Sequence, residues 1–277
     1  MNIKIIPVCL LVILLNPAAN AQIKRCGTEL NDKQKNFELS FTDSVTSLFT
    51  FDRVINVTLF IVKDDEGETN VDMGEFNSAF AGVNNAFEKI NLHFRISATR
   101  YIDNYHFDEL KKGDNETDMV IQNIVANTIN LYLVSKLLDA DDQEVCGYTY
   151  YPAEAKDIIL MNKSCISASL MTEQFGHFFN LYHTHEDGFA SELVNGSNCS
   201  TAGDLCCDTP ADPDLTGKVA SDCQYESTFK DENNDYYIPS VYNYMSFSPD
   251  NCGKCYFSDE QYLRILNCLL KIKSHLW

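Results

Sequence analysis

Hydrophobic periodicity divides the chain into a patterned first part and a mostly unpatterned second part. Residues 54–62 are a β-branched, apolar run of strand length, broken by Asp64-Asp65-Glu66-Gly67. Asp72 and Glu75 have the spacing of a helix capping box. Phe76, Phe80, Val83, Phe87 and Ile90 then recur as one apolar helical stripe. Residues 92–102 read as a second strand and 104–118 as a charged loop. In a third strand, over 129–133, Ile129, Leu131 and Leu133 alternate with Asn130 and Tyr132. Residues 147–151, stopped by Pro152, read as a short edge strand, and 157–161 as another strand. Residues 166–181 read as a helix. From 186 to 257 the periodicity fades, and Gly, Asn, Asp, Ser, Pro and Cys accumulate. Ser258 and Gln261 form a second capping pair, opening a helix over 262–276 with Leu263, Leu266 and Leu270 on one face. Strands interrupted by a long helix predict an α/β (α+β) plan with a mixed sheet. The upper lobe runs to about residue 183 with a helix at its floor. The lower lobe is loop-rich and ends in a C-terminal helix.

The first residues change the compartment. Lys4, the apolar stretch 5–15 and Ala19-Asn20-Ala21 have the order of a signal peptide over 1–21, leaving 22–277 as one domain. That apolar stretch is too short for a membrane span, which needs about twenty residues, so the expected product is secreted. The ten cysteines beyond Cys9 then read as disulfides, with Cys252-Gly253-Lys254-Cys255 open to a competing metal reading. A net charge of −19 gives no basic surface for phosphate, so nucleic acid is not an expected partner.

The chemistry concentrates on Glu173, His177 and His183. Residues four apart share a helix face, so Glu173 and His177 can converge on one ion. His183 reaches the same point only if the chain turns near Asn180, the non-glycine residue type best suited to a left-handed helix end. Glu with two His is a ligand set for catalytic zinc. The competing reading makes His177 an ordinary core histidine among Phe175, Phe178 and Phe179.

The segment 173–184 resembles the extended zinc motif HExxHxxGxxH of metzincin metallopeptidases, and His177-Phe178-Phe179-Asn180-Leu181-Tyr182-His183-Thr184 looks most like the pappalysin branch. Gly203-Asp204 to Asp208-Thr209-Pro210 is similar to that branch's GD-x-x-x-DTP loop. Asn243-Tyr244-Met245-Ser246 resembles its Met-turn, with Met245 as the shelf beneath the metal. Cys26-Gly27-Thr28 looks like the mature start, and Cys146-Gly147-Tyr148 to Pro152 like the substrate-binding edge strand. The resemblance implies a metzincin-like fold, a zinc site at Glu173, His177 and His183, calcium at Asp204, Asp208 and Thr209, and a peptide or protein ligand in the cleft. A capped, hydrogen-bonded turn is the alternative at the calcium position. The resemblance also implies two bridges among Cys199, Cys207, Cys223 and Cys252, with the pairing open.

The departures point away from catalysis. Glu173 stands where the family has its first zinc histidine. Gln174 stands where the family has its general base, and an amide has no titratable proton to pass. Phe247 stands where a tyrosine hydroxyl often assists. The motif has not simply shifted, since His185-Glu186 leads to Phe189. These residues predict a pseudopeptidase that binds peptide or protein without cutting it. The alternative is an active zinc endopeptidase with a Glu/His/His site, in which Glu173 could serve as base while His185 or Glu186 helps hold the metal.

Overall fold

The computed structural model describes residues 23–41 and 44–277, so the expected signal peptide lies outside the described residues. Its strands are β1 (Arg53–Val62), β2 (Leu92–Ile102), β3 (Glu109–Lys111), β4 (Ile129–Val134), β5 (Lys136–Leu138), β6 (Gly147–Thr149) and β7 (Ile158–Asn162). Its helices of two turns or more are α1 (Asp32–Ser40), α2 (Met73–Phe87), α3 (Asn115–Asn123), α4 (Ala168–Phe178) and α5 (Asp259–Lys271). The main sheet has the order β2-β1-β4-β7-β6. It is parallel except at its edge, where β6 runs antiparallel to β7.

The sheet is covered on both faces, which explains the near-continuous apolar runs of its central strands. Ile55, Val57, Leu59 and Ile61 of β1, with Ile129, Leu131 and Leu133 of β4, pack against α2, α4 and α5. Phe60, Val62, Tyr132 and Val134 face the other way, onto Phe107, Leu110 and Met119. The alternation through β4 therefore does not mark a wet face. Asn130 and Tyr132 are as buried as their aliphatic neighbours, and the Asn130 amide is satisfied by the backbone around Val125 and Asp157.

Several expectations are corrected. The charged loop over 104–118 contains β3 and the start of α3, because Leu110 and Met119 supply apolar anchors between exposed charges. α1 follows the N-terminal segment directly, capped by the Asn31 side chain. Its low apolar content hid it, since it is held by polar contacts. α4 is shorter than its apolar pattern, beginning after the Ser167 cap and ending at Phe178. In α5 the Ser258–Gln261 capping box forms, but the buried stripe is Tyr262, Ile265, Leu266 and Leu269, and Leu270 points outward. The loop-rich lower lobe carries the bridges Cys199–Cys207 and Cys223–Cys252, while Cys146–Cys165 ties the edge strand to the start of α4. Among the described residues Cys26, Cys206, Cys255 and Cys268 are unpaired, so the reading of all ten cysteines as bridged fails. Among the described residues no helix is long and apolar enough to cross a membrane. The disulfides suit a secreted protein.

Candidate metal centre and cleft

α4 places Glu173 and His177 one turn apart on its buried side. Asn180 then adopts φ +75°, the left-handed conformation that ends a helix, and the Leu181 amide bonds back to Gly176 O at 3.0 Å. His183 is thereby carried to within 2.9 Å of His177, Nε2 to Nε2. Met245 lies beneath this turn. A Cβ on Gly176 would stand 2.6 Å from its sulfur, so only glycine lets the helix rest on the methionine.

Four side chains converge. One ligand atom each from Cys26, Glu173, His177 and His183 lies within 4.8 Å of all the others, and all four residues are buried. The His177 Nδ1–H donates to Leu181 O at 2.8 Å, leaving Nε2 with its lone pair toward the cluster. The two Glu173 oxygens have different tasks. Oε2 accepts from Arg25 Nε at 2.7 Å and lies 3.8 Å from Lys254 Nζ. Oε1 has no hydrogen-bond partner and lies 3.6 Å from His183 Nε2. An unpartnered buried carboxylate oxygen beside two imidazole nitrogens and a thiol sulfur is a donor set that fits a soft-to-borderline dication. His185 stacks on His183 with ring centroids 4.9 Å apart but is not part of the four-residue cluster.

The surrounding charge is unusual. Burial pushes the Glu173 carboxyl up, but Arg25, His183 and Lys254 together hold it well below the usual carboxylate range. Burial brings the Lys254 ammonium down to about 8 against the pull of Glu173. Arg25, Cys26 and Lys254 were missed from sequence. Cys26 and Arg25 stood outside any motif beyond a start signature. Lys254 sits within a CxxC spacing that drew attention to its cysteines. Only its burial marks it.

The Gln174 side chain is engaged at both ends. Gln174 Oε1 accepts from Thr28 Oγ1 at 3.2 Å, and its Nε2 donates to Cys26 Sγ at 3.3 Å. Phe247 sets its ring against His183 and His185, at 4.5 and 4.4 Å between centroids, and brings no hydroxyl. The edge strand is also taken, because Cys146 N donates to Lys24 O at 2.8 Å and Gly27 N to Gly147 O at 2.9 Å. Cys26-Gly27-Thr28 therefore lies inside the cleft.

Asp204, Asp208 and Thr209 are not gathered on one point. Asp204 Oδ1 lies 2.8 Å from Thr209 Oγ1, and its Oδ2 accepts from Gln261 at 3.2 Å. Asp208 turns to the Glu260 amide at the start of α5. Glu192, unnoticed in the sequence, closes over Gly203 beside Asp204. Burial, then Asp204 and Asp212, raise the Glu192 carboxyl to about 8, and burial raises Asp204 to about 7. Both acids hold their protons more tightly folded than unfolded, so folding takes up protons between the two pKa values. Stability then falls as pH rises from about 5 to 8 and levels off above that. Thermal melts across this range should show the fall, and Asp204→Asn should flatten it.

No family model matches the chain. It is 24% identical over 249 residues to an extracellular metalloprotease of Arthroderma gypseum, covering 83% of this chain and 75% of that one. It is 25% identical over 208 residues to an extracellular metalloprotease of Neurospora crassa, covering 67% and 63%. Among solved structures, a point mutant of Tannerella forsythia promirolysin superposes with a TM-score of 0.59 at 15% identity, covering 91% of this chain and 97% of that one. Mature Tannerella forsythia mirolysin in complex with a cleaved peptide gives 0.54 at 15% identity, covering 84% and 96%. The chain thus has a metzincin-like fold and is similar in sequence to extracellular metallopeptidases, a broader grouping than the pappalysin branch its motifs resemble.

Proposed function

We propose that this protein is a secreted, pappalysin-like pseudopeptidase that holds an extended peptide in its cleft without hydrolysing it. One observation carries the reading. The residue at the general-base position, Gln174, is an amide with both ends engaged by Thr28 and Cys26. It can orient a ligand by hydrogen bonding but cannot take a proton from water and return it to a leaving amine. The absence of a hydroxyl at Phe247 supports the same reading. The peptide-binding part rests on the edge strand β6, whose backbone groups already pair with an extended segment, a common mode of peptide capture.

Cys26, Glu173, His177 and His183 would hold zinc. Bound there, zinc supplies positive charge and ligand order to the floor of the cleft. With four protein donors the set has the composition of a closed structural site, whereas a catalytic site keeps one position open. The calcium expectation is not carried forward, because the oxygens of Asp204, Asp208 and Thr209 are engaged with Cys206, Gln261, one another and the Glu260 amide. Elemental analysis of the purified chain tests the zinc assignment. The expected result is one zinc per chain, lost with a large fall in Tm on strong chelation. A chain free of metal and unmoved by chelator would contradict the zinc assignment.

A further inference from the structure

Asn56, Asn115, Asn162, Asn195 and Asn198 each open an Asn-x-Ser/Thr triplet in which x is not proline. In an exported chain this triplet can accept an N-linked oligosaccharide, and the folded protein keeps the sugar only where the asparagine amide stands at the surface. What already holds each side chain sorts the five.

Asn162, the last residue of β7, is fully buried. Its Nδ2 donates to Glu144 at 3.1 Å, and its Oδ1 accepts from the Ser164 amide and hydroxyl at 2.9 and 2.8 Å. Asn115 opens α3 and ties it to β3. Its Nδ2 donates to Glu109 O at 2.8 Å and His106 O at 3.3 Å, and its Oδ1 accepts from the Lys111 amide at 2.8 Å. Asn198 donates to Ser191 O at 3.0 Å and accepts from the Leu193 amide at 2.9 Å. A sugar on any of these three nitrogens would stand where a protein acceptor now stands, and the freed acceptors would lose their donor. Asn56 is half-buried within β1, with its Oδ1 held by Arg95 at 2.8 Å and the Thr58 of its triplet 2% exposed.

Asn195 is different. It is exposed, in a turn closed by the Gly196 amide on Leu193 O at 2.8 Å. Its Oδ1 accepts from the Ser197 amide at 3.0 Å, which fixes the carbonyl end of the side chain and leaves the amide end free. Among the described residues its Nδ2 donates to no protein atom. Ser197, the hydroxyl residue of the triplet, is exposed as well. Space is open beside the turn, since a Cβ on Gly196, at φ +70°, would meet no atom within 4 Å.

We propose that Asn195 is the N-glycosylation site of the secreted protein. The co-reactant is a lipid-linked oligosaccharide diphosphate of the export pathway. The Asn195 Nδ2 forms a bond to C1 of the first sugar as the C1–O bond to phosphate breaks. The amide loses one proton, and the lipid diphosphate leaves with the bonding electron pair. Nothing is oxidised or reduced. The folded chain carries the product without giving up a contact, because the nitrogen that takes the sugar holds nothing else. The site depends on export of the chain and is indifferent to whether the cleft cuts peptide.

The test is site mapping on the full chain secreted from a eukaryotic cell line. Intact mass is read before and after an amidase that releases N-linked glycans and converts each released asparagine to aspartate. The expected result is a mass that collapses to that of the polypeptide, with the aspartate mark at Asn195 in most molecules and at none of Asn115, Asn162 and Asn198. Ser197→Ala changes only an exposed hydroxyl, and it should abolish the mark at Asn195 while the Tm matches that of the enzymatically deglycosylated parent. An unmarked Asn195, from cells that glycosylate a control protein, would overturn the proposal. So would the mark at Asn115, Asn162 or Asn198 in the folded product.

Discussion

Gln174→Glu, introduced into a chain whose residues 24–28 are loosened from the cleft by Arg25→Ala and Cys26→Ser, should raise peptide hydrolysis about 10²–10⁴-fold over the same chain with Gln174. The two background substitutions matter. Arg25 and Cys26 fix residues 24–28 in the cleft, and a restored base behind a filled cleft would meet no substrate. With Glu173, His177 and His183 left in place, the gain isolates the proton transfer that an amide cannot perform. Phe247→Tyr should add to it through a hydroxyl near His183, since a donor to a developing oxyanion contributes separately from the base. The readout is kcat/KM on quenched peptides in zinc-supplemented buffer, with chelator as control. A Gln174→Glu chain no faster than its parent would mean that another residue already serves as base.

Glu173→Ala should be among the most damaging single changes to the fold, costing about 3–5 kcal/mol. Glu173 is fully buried. It is the counter-charge of Lys254, whose side chain is also fully buried, and of Arg25. Removing it strands the Lys254 ammonium with only the Ser246 carbonyl as a partner. Arg25 keeps Asp250, which is partly exposed. For a chain of this size the loss corresponds to a fall in Tm of about 10 °C. Melts in chelator keep loss of a bound ion out of the comparison. Adding Lys254→Met should return about half of the loss, because a buried pair replaced by apolar groups costs far less than one broken on a single side. A Glu173→Ala chain as stable as its parent in chelator would show that the carboxylate does not anchor this charge network.

The sequence carried the features set by local periodicity and by the spacing of Glu173, His177 and His183. The strands β1, β2, β4 and β7 follow from β-branched runs, and the α5 capping box from Ser258 and Gln261. The turn at Asn180 followed from the need to bring His183 back, and its positive φ is the structural form of that requirement. The rest depends on contacts between residues far apart in the chain. Arg25 and Glu173 are 148 positions apart, and nothing in either neighbourhood signals the other. α1 carries little apolar periodicity because Gln34 and Glu38 fix it through hydrogen bonds. The cysteine count misled for the same reason. Cys26 is held in the cluster with Glu173 and the two histidines, and Cys206 and Cys268 are buried singly, so an even number did not mean complete pairing.

The most direct test of the central claim is to incubate the purified full-length chain with a diverse peptide library and follow new termini by mass spectrometry, with and without chelator. The expected result is no cleavage above the blank at any site, while peptides are retained by the cleft once Arg25→Ala loosens residues 24–28 from it. Chelator-sensitive cleavage by the unmodified chain that persists at constant specific activity through repeated purification would contradict it.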